Sequence, residues 1–374
     1  MNVLITTSLA STSPSGVVTY YTALARDLAD KGIGVTVIEA GDTPRLWRTV
    51  LNVLKRLMRP IGGAFYVLYD EFAYFTGLYL AARKLRREPF TLIHAQDVRS
   101  GVAAYLALRR RLPVVLTCHF NDDPVTELTA AFTLSNWFRN RLSAWYRFLF
   151  SMVTNYVFVS NYAYRKSMHL LPLVMRKRIL YNTVNIEDTA PPAPSDVLRI
   201  SNVGYIDERK NQRLLIDIAQ ELHRRSVRNF SIWLIGDGPK RAEYEQLVNQ
   251  LHLSDRVKFY GRQESPWKLV AQTDLYIHTA LNDNCPYSIV EAFAVKTPVL
   301  ALPVGGVPEL VSEAYGQLHG TDVSSLTSEV LSYFDESKRA TLAHEQSIVS
   351  TTRLNHHRSL SELISFYKQA AQCL

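Results

Sequence analysis

The chain has 374 residues, of which 47% are hydrophobic and 20% charged, and its formal net charge at pH 7 is +8. This length is too great for one ordinary core, so we expect a globular protein of two domains and not a disordered or fibrous chain. The three cysteines, Cys118, Cys285 and Cys373, are far apart, which argues against a disulfide framework and fits a reducing compartment.

Short runs rich in β-branched residues alternate with helical stretches, which is typical of parallel sheets built from βαβ units. In the first half the predicted strands are Val3–Thr7, Val35–Glu39, Leu92–Ala95, Val114–Cys118, Tyr156–Ser160 and Ile179–Tyr181. In the second half they are Leu198–Val203, Ser231–Ile235, Val257–Tyr260, Leu275–His278 and Val299–Leu302. Between the halves, Thr189–Ser195 is a proline-rich linker. We therefore expect two doubly wound domains that bind ligands beyond the carboxyl ends of their strands.

Neither a signal peptide nor a membrane-spanning helix is expected. The first strand follows Met1 directly, without a basic leader. The segment Ile61–Ala82 is apolar and aromatic but contains Asp70 and Glu71, which a spanning helix rarely tolerates. We therefore predict that this segment is a buried or interfacial helix.

Basic residues are concentrated in the first half of the chain. Residues 1–190 contain 23 Lys and Arg against 13 Asp and Glu, and Arg45–Arg59 has five basic residues and no acidic one. The aromatic residues in or near basic stretches are Trp47, Trp137, Phe138, Trp145, Tyr146, Phe148 and Phe150. This combination suits an anionic membrane surface, and equally a solvated basic face above ordinary core aromatics. We expect no binding to nucleic acid, since no recognition motif accompanies the charge.

Two segments of the first half are candidate functional sites. The loop Thr7–Gly16 consists mostly of small residues and enters a helix predicted from Val17 to Lys31, as in phosphate-binding loops and in many ordinary turns. His119 comes directly after a buried strand, where an isolated histidine is more often a core or loop residue than a catalyst. Asp122 and Asp123 follow it without a second histidine or a paired carboxylate motif, so we expect no metal site.

The second half opens with the run Val203–Lys210, which leads from a strand to a predicted helix. A lysine near a helix start can neutralise a diphosphate without Mg²⁺, because the ammonium group and the helix N-terminus both attract anions. Further along, Ile235–Pro239 is a weak glycine motif at a strand end, and Arg262 follows the end of the next strand.

The segment Asp283-Asn-Cys-Pro-Tyr-Ser-Ile-Val-Glu291 carries the most specific pattern. Its two acids are eight positions apart, the first before a predicted helix and the second inside it. Asp283 or Asn284 is the predicted N-cap, and Pro286 suits the first turn. The helix start offers backbone N–H groups to an anion, and Glu291 can accept hydrogen bonds from hydroxyl groups. Together these features describe a site for a nucleotide sugar.

With Lys296–Pro298 and Gly305–Glu309 downstream, this segment resembles the acidic pair and phosphate-binding helix of the family 4 retaining glycosyltransferases, which have the GT-B fold. Four positions depart from the family's pattern. The first acid is usually Glu and here is Asp283, and the Arg that follows Gly204 is here Tyr205. Lys296 replaces a Gly, and Ser15-Gly16 replaces a Gly-Gly pair.

The resemblance implies a role for most of these residues. His119 and Asp283 would be catalytic and flank the reacting sugar, Glu291 would bind ribose hydroxyls, and Lys210 would bind the donor diphosphate. Arg209 would supply the missing guanidinium, and Arg262 would lie near the base. The implied donor-binding residues are Gly16, Gly204, Tyr205, Arg209, Lys210, Arg262, Asn284, Cys285, Pro286, Tyr287, Ser288 and Glu291. No metal or other cofactor is implied, and front-face attack is favoured over a covalent intermediate.

The resemblance also implies a domain arrangement and an activity. Residues 1–188 would form an acceptor-binding domain, residues 189–353 a nucleotide-sugar-binding domain, and residues 354–374 a helix that crosses back to the first domain. We expect transfer from a UDP- or GDP-sugar to a lipid-linked or membrane-associated glycan in polysaccharide, lipopolysaccharide or glycolipid synthesis. The expected location is the cytoplasm, with peripheral contact at the inner face of an anionic membrane.

Two other hypotheses stay open. The departures at Tyr205, Asp283 and Lys296 fit a catalytically degenerate GT-B protein that binds a nucleotide or supports a partner. A GT-B epimerase or phosphorylase is less favoured, because no pyridoxal-type lysine motif is present. The chain contains no Asp-x-Asp triplet, which argues against the metal-dependent GT-A alternative.

Overall fold

The structure, a computed structural model, describes residues 1–13, 15–58, 62–130, 132–186, 189–190 and 192–372. The chain divides into two compact units, one formed by Met1–Leu180 with His357–Leu374 and the other by Tyr181–His356. The domain boundary predicted at residues 188 and 189 lies partly outside the described residues. The residues of the segments singled out above that also lie outside them are Pro14, Arg59, Ile61, Pro191, Cys373 and Leu374.

Each unit contains one parallel sheet. The strands are β1 (Asn2–Thr6), β2 (Gly34–Ile38), β3 (Leu92–Ala95), β4 (Val114–Cys118), β5 (Asn155–Phe158), β6 (Arg176–Ile179), β7 (Leu198–Val203), β8 (Phe230–Ile235), β9 (Val257–Gly261), β10 (Leu275–His278) and β11 (Val299–Ala301). The first sheet has the order β2-β1-β3-β4-β5-β6 and the second β11-β10-β7-β8-β9. These two sheets confirm the predicted α/β class with doubly wound order.

Helices separate the strands. They are α1 (Gly16–Asp30), α2 (Arg45–Met58), α3 (Gly63–Lys84), α4 (Val98–Ala107), α5 (Pro124–Thr129), α6 (Asn136–Ser151), α7 (Asn161–Ser167), α8 (Arg213–Arg224), α9 (Arg241–Gln250), α10 (Trp267–Val270), α11 (Tyr287–Ala294), α12 (Val323–Ser332), α13 (Glu336–Arg353) and α14 (His356–Ala371). Short 3₁₀ helices occupy Ala40–Asp42, Met168–Leu170 and Val307–Glu309.

The predicted position of the sixth strand is wrong. The strand was expected at Ile179–Tyr181 and instead is β6, Arg176–Ile179. Its first three residues are charged and exposed, because β6 is the edge strand of its sheet and pairs with β5 alone. An edge strand with solvated charges lacks the apolar run by which buried parallel strands are recognised.

Helix α14 is joined to the first sheet by buried polar contacts. The Tyr367 hydroxyl lies 2.6 Å from His94 Nδ1, and His94 Nε2 lies 2.7 Å from the Thr117 hydroxyl. Both ring nitrogens of His94 are therefore satisfied although the residue is fully buried. Burial lowers the pKa of His94 to about 3, so this histidine stays neutral.

The segment predicted as a buried or interfacial helix forms most of α3. Its acid Glu71 is buried and accepts hydrogen bonds from Arg99 at 2.8 Å and from the Tyr146 hydroxyl at 2.9 Å. In the part of the chain that the structure describes, there is no helix with the length and apolar character that crossing a bilayer requires.

Three of the aromatic residues for which a membrane surface and the core were equally expected lie in the core. Phe138, Tyr146 and Phe150 are buried on the inner face of α6. Trp137, Trp145 and Phe148 of the same helix are exposed. The composition of this stretch did not separate the two sets, because both faces of the helix carry aromatic residues.

Candidate functional site

The second sheet reverses its strand order between β7 and β10, and the candidate residues follow these two strands. Gly204–Lys210 comes after β7, and Asp283–Glu291 comes after β10. The carboxyl ends of the two neighbouring strands open a crevice at such a switch point, which is where doubly wound sheets bind ligands. The sequence motifs thus converge on one place within the second unit.

Lys210 and Asp283 form an ion pair at this place. Lys210 Nζ lies 2.5 Å from Asp283 Oδ2, and His278 Nε2 lies 3.3 Å from the same oxygen. The other carboxylate oxygen accepts a hydrogen bond from the Asn284 N–H at 3.1 Å. Asp283 is only 7% exposed, so the ion pair is largely shielded from water. The ammonium group that was predicted to bind a diphosphate is therefore held in place by the first acid of the motif.

The pKa values of this cluster follow from burial and from the ion pair. Burial would raise the pKa of Asp283, but the Lys210 ammonium and the contact with His278 outweigh burial and hold that pKa well below its ordinary value. Burial lowers the pKa of His278, although Asp283 opposes the shift. At neutral pH Asp283 is therefore a charged carboxylate beside the neutral imidazole of His278.

Helix α11 begins without a side-chain cap, which corrects the predicted N-cap. Pro286 is the N-cap residue, with ψ of 125°, and the helix starts at Tyr287. Asp283 does not cap the helix, because its carboxylate is engaged by Lys210 and by the Asn284 N–H. A helix start with no capping side chain retains the ability of its first turn to bind an anion.

Glu291 lies in the second turn of α11. Its carboxylate has no hydrogen-bond partner among the described residues, and burial raises its pKa to about 7. On the same helix, Ser288 is buried. Glu291 is therefore a half-buried carboxylate without a compensating donor among the described residues, and hydroxyl groups of a ligand would stabilise its charged form.

The residues before α11 are fixed by backbone contacts. The Asn182 N–H donates to Cys285 Sγ at 3.3 Å, and the Asn182 side-chain amide donates to the Cys285 carbonyl at 2.7 Å. Cys285 and Asn284 are buried. Burial raises the pKa of the Cys285 thiol to about 12, so this cysteine is a packing residue here. Sequence reasoning missed Asn182, which no local motif marks.

The glycine pair Gly305-Gly306 supports the loop that carries Asp283. Gly305 has φ of +58°, and a Cβ there would lie 2.0 Å from the Asp283 carbonyl oxygen. A Cβ on Gly306 would lie 2.3 Å from the Asn284 carbonyl oxygen, and the Gly306 N–H donates to the Asp283 carbonyl at 2.9 Å. The pair therefore brings two backbone segments closer than any side chain would allow.

Gly305→Ala is expected to destabilise the protein by about 3 kcal/mol or more, because it combines a positive φ with a collision against backbone. Gly32→Ala is the matched control, since Gly32 has φ of +71° and no atom within 4 Å of the added Cβ. The control should cost about 1 kcal/mol. Chemical denaturation measures both, and equal losses would show that the collision is relieved by local movement.

The remaining candidates of the second unit lie on its surface. Tyr205, Arg209 and Arg262 are exposed, and the Arg209 guanidinium donates to the Asn282 carbonyl at 3.3 Å. Arg209 thus lies beside the loop that precedes Asp283. Gly204 has ordinary van der Waals space for a Cβ, so packing within the free protein does not require glycine there. A ligand that approaches the backbone closely at this position would require a glycine there.

Lys296, which departs from the family's glycine, occupies the first position after the C-cap of α11. Its φ is +61°, and the Lys296 and Thr297 N–H groups donate to the Phe293 and Ala292 carbonyls. These two bonds form a Schellman motif, in which glycine is usual because it lacks a Cβ. The substitution leaves the end of α11 intact.

Lys296→Gly is expected to stabilise the protein by about 0.5 to 1 kcal/mol. Glycine removes the strain of a left-handed backbone conformation in the folded protein. Part of this stabilisation is lost, because glycine raises the conformational entropy of the unfolded chain. Thermal unfolding of the two proteins measures the change. A lower melting temperature for the variant would mean that the contacts of the lysine side chain outweigh the backbone strain.

In the first unit, His119 follows β4 and lies beside Gln96, which follows β3. His119 Nε2 lies 2.9 Å from Gln96 Oε1, and the Tyr20 ring packs edge-on against the imidazole at 4.8 Å. With the amide in this orientation Nε2 carries the proton, so Nδ1 is the acceptor. Burial lowers the pKa of His119 to about 3, so the imidazole is neutral. Gln96 Nε2 is buried without a hydrogen-bond partner among the described residues.

Gly16 is the first residue of α1, and the Ser15 hydroxyl caps this helix by accepting from the Val17 N–H at 3.2 Å. The preceding loop is held by two acids. Asp97 accepts from the Ser8 N–H at 2.7 Å, and Glu39 accepts from the Ser11 N–H at 2.5 Å. The loop is thus ordered by side chains, and the predicted phosphate-binding role of Gly16 stays a prediction.

The described residues contain no group of three or more His, Cys, Asp and Glu side chains that could hold a metal ion. Asp122 is instead paired with Lys166 at 3.1 Å, and Asp123 caps α5. These two acids therefore have structural partners in the first unit.

The chain matches the models of two known protein families. Residues 14–188 match the family described as Glycosyltransferase Family 4, and residues 185–346 match Glycosyl transferases group 1. N-acetyl-alpha-D-glucosaminyl L-malate synthase of Bacillus anthracis is 25% identical over 82% of this chain and 80% of the relative. The gpi3 subunit of phosphatidylinositol N-acetylglucosaminyltransferase of Schizosaccharomyces pombe is 24% identical over 89% of this chain and 74% of the relative.

Among solved structures, HepE of Anabaena in complex with UDP and glucose has a TM-score of 0.71 and 18% sequence identity. The likeness covers 99% of this chain and 100% of HepE, and at this identity it shows the fold. Since the two family matches together extend over residues 14–346, the chain belongs to the family 4 glycosyltransferases and has the GT-B fold.

Proposed function

We propose that this glycosyltransferase takes a sugar from a nucleoside-diphosphate sugar and transfers it, with retention of anomeric configuration, to a glycan or lipid-linked acceptor. The observation that supports the donor most strongly is the arrangement around α11 in the second unit. Within the described residues, β7 is followed by a lysine ammonium, and β10 is followed by a helix start without a capping side chain and by a carboxylate with no hydrogen-bond partner. These groups complement a diphosphate and the hydroxyls of a ribose.

In the proposed reaction, the acceptor hydroxyl oxygen forms a bond to the anomeric carbon while the bond from that carbon to the diphosphate breaks. The electron pair of the broken bond goes to the leaving diphosphate, and the hydroxyl proton is transferred to a phosphate oxygen on the same face. Lys210 and the α11 N–H groups stabilise the charge that develops on the leaving group. The proposed reaction needs no metal ion, and the catalytic role of His119 stays a prediction.

Two observations support the proposed acceptor. One curated relative is named as a phosphatidylinositol N-acetylglucosaminyltransferase subunit, so a lipid acceptor occurs among similar proteins. The basic excess in the first half of the chain also suits a location at an anionic membrane, on its cytoplasmic side. A UDP-sugar is the first donor to test, since HepE was crystallised with UDP.

The test is thermal-shift binding of UDP-, GDP-, ADP- and TDP-sugars in the presence of EDTA, followed by product analysis with the donor that binds. Stabilisation by one nucleotide class, and an anomeric proton coupling in the product that matches the donor, are expected. A product of inverted configuration would contradict retention, and binding that needs added Mg²⁺ would contradict the metal-free site.

A catalytically degenerate protein is the second candidate function. It is favoured by the ion pair between Lys210 and Asp283, which occupies both groups in the free protein, and by Tyr205 in place of an arginine. Such a protein would bind the nucleotide but consume none of the donor. Sensitive detection of released UDP, with and without acceptor, separates the two functions.

A further inference from the structure

Helix α2 exposes a continuous apolar stripe. Leu46, Val50, Val53 and Leu57 recur at helical spacing and are between 40% and 76% exposed. Within this helix, all of which is described, only Leu51 is buried. A surface helix normally directs its apolar face to the core, so the stripe of α2 is an apolar face that the described residues do not cover.

Two further helices of the same unit also expose large apolar side chains. Helix α3 is joined to α2 by the Lys55–Asp70 pair at 3.3 Å, and α6 is joined to α3 by ring contact between Trp145 and Phe75 at 6.2 Å. Both helices carry large apolar side chains that are 38% to 67% exposed, namely Phe65, Leu68, Phe72, Trp137, Trp145 and Phe148. We call these exposed apolar residues of α3 and α6, together with the stripe of α2, the apolar patch.

Helices α2 and α6 carry charges of one sign. Helix α2 contains Arg45, Arg48, Lys55 and Arg56, and α6 contains three arginines, with no acidic residue in either helix. The two acids of α3 are neutralised, Asp70 by Lys55 and Glu71 by Arg99 at 2.8 Å. An occupant of this surface must therefore be apolar where it meets the stripe and anionic at the rim.

We propose that the apolar patch docks into an anionic lipid bilayer, with α2 lying in the plane of the interface. A helix of 14 residues is about 21 Å long, too short to cross a bilayer but suited to the interfacial layer. Exposed tryptophans and arginines prefer that layer. A second copy of this chain is a poorer occupant, because two basic rims would repel each other.

The apolar patch would be the surface that makes the peripheral membrane contact proposed above, and the inference rests on that part of the proposed function. Its test is separate from sugar transfer, because binding to vesicles is measured without donor or acceptor. Failure of vesicle binding would leave the donor site untouched, and failure of donor binding would leave the apolar patch untouched.

The experiment is co-sedimentation of the full chain with vesicles of phosphatidylcholine alone and of phosphatidylcholine mixed with phosphatidylglycerol. The variant Leu46→Gln/Val50→Gln/Val53→Gln/Leu57→Gln removes the stripe and keeps helix propensity, since glutamine is a good helix former. We expect binding to the mixed vesicles to weaken by about tenfold or more. Ile348→Gln is the matched control, an exposed apolar residue on helix α13 of the other unit, and should bind like the unaltered chain.

A second variant keeps the test decisive if the first folds poorly. Arg45→Gln/Arg48→Gln/Arg56→Gln leaves the stripe intact and should weaken binding to mixed vesicles by about tenfold or more, since each basic residue near an anionic surface contributes on the order of a fivefold gain. Equal binding to both vesicle types, or none to either, would overturn the proposal. A concentration-dependent dimer that the stripe variant abolishes, without vesicle binding, would assign the patch to a second copy.

Discussion

Lys210→Ala is expected to lower kcat/KM for sugar transfer by about 100- to 1,000-fold. In the proposed reaction the ammonium group stabilises the charge that develops on the leaving diphosphate, and loss of one such preorganised group has effects of this size. Initial rates with the donor identified by thermal shift measure the change. Lys240→Ala is the matched control, because Lys240 lies in the same unit and pairs with Glu208 and Glu243 at the surface, and its rate should be unchanged.

The same substitution is expected to destabilise the protein by about 3 kcal/mol, since it leaves the buried Asp283 carboxylate without its ammonium partner. Loss of activity through unfolding must therefore be separated from loss of chemistry. Lys210→Met/Asp283→Asn removes both charges and should recover most of the stability without recovering activity. A double variant with substantial transfer activity would contradict the role proposed for Lys210.

Acid denaturation offers an independent check on the ion pair. Because the pKa of Asp283 is depressed in the folded protein, its stabilising effect is present above the unfolded pKa of about 3.9 and is lost as pH falls toward the folded value. We expect Lys210→Ala to remove this part of the acid dependence. Urea denaturation at a series of pH values from 3 to 7 measures it, and parallel curves for both proteins would contradict the pairing.

The sequence predicted the elements of the site better than their contacts. Lys210 and Glu291 could be singled out because each lies in a recognisable local motif that follows a strand. The pairing of Lys210 with Asp283 could not be predicted in this way, because the two residues are 73 positions apart and meet only where β7 lies beside β10. Strand order is decided by packing of the whole sheet, which a local pattern does not contain.

The N-cap of α11 shows the same limit. Capping preferences favour Asp283 or Asn284, but the carboxylate of Asp283 gains more from an ammonium group in a buried place than from a helix end. The contact of Tyr367 with His94 spans 273 positions and had no signal in the sequence. In α2 the periodicity marks an apolar face, but only the structure shows that much of this face is exposed.

Donor affinity is expected to be about tenfold weaker at pH 6 than at pH 8, because burial raises the pKa of Glu291 to about 7. Ribose hydroxyls donate to a carboxylate, so the ligand favours the charged form of Glu291 and its binding releases a proton at pH values below 7. The diphosphate of a nucleotide sugar does not titrate in this range. Isothermal titration calorimetry in two buffers of different ionisation enthalpy measures the released protons directly.

Glu291→Gln should bind the donor about 10- to 100-fold more weakly at pH 8 and should lose the pH dependence, since hydrogen bonds to a charged group are worth about 1.5 to 3 kcal/mol.

The effect of the same substitution on the stability of the free protein has the opposite sign. A glutamate whose folded pKa is raised stabilises the folded state at low pH, and this contribution is lost as pH rises through about 7. The glutamine variant should therefore be more stable than the unaltered protein at pH 8. A purely structural glutamate would show lower stability on this substitution, whereas higher stability with weaker binding identifies a residue kept at an energetic cost for its ligand.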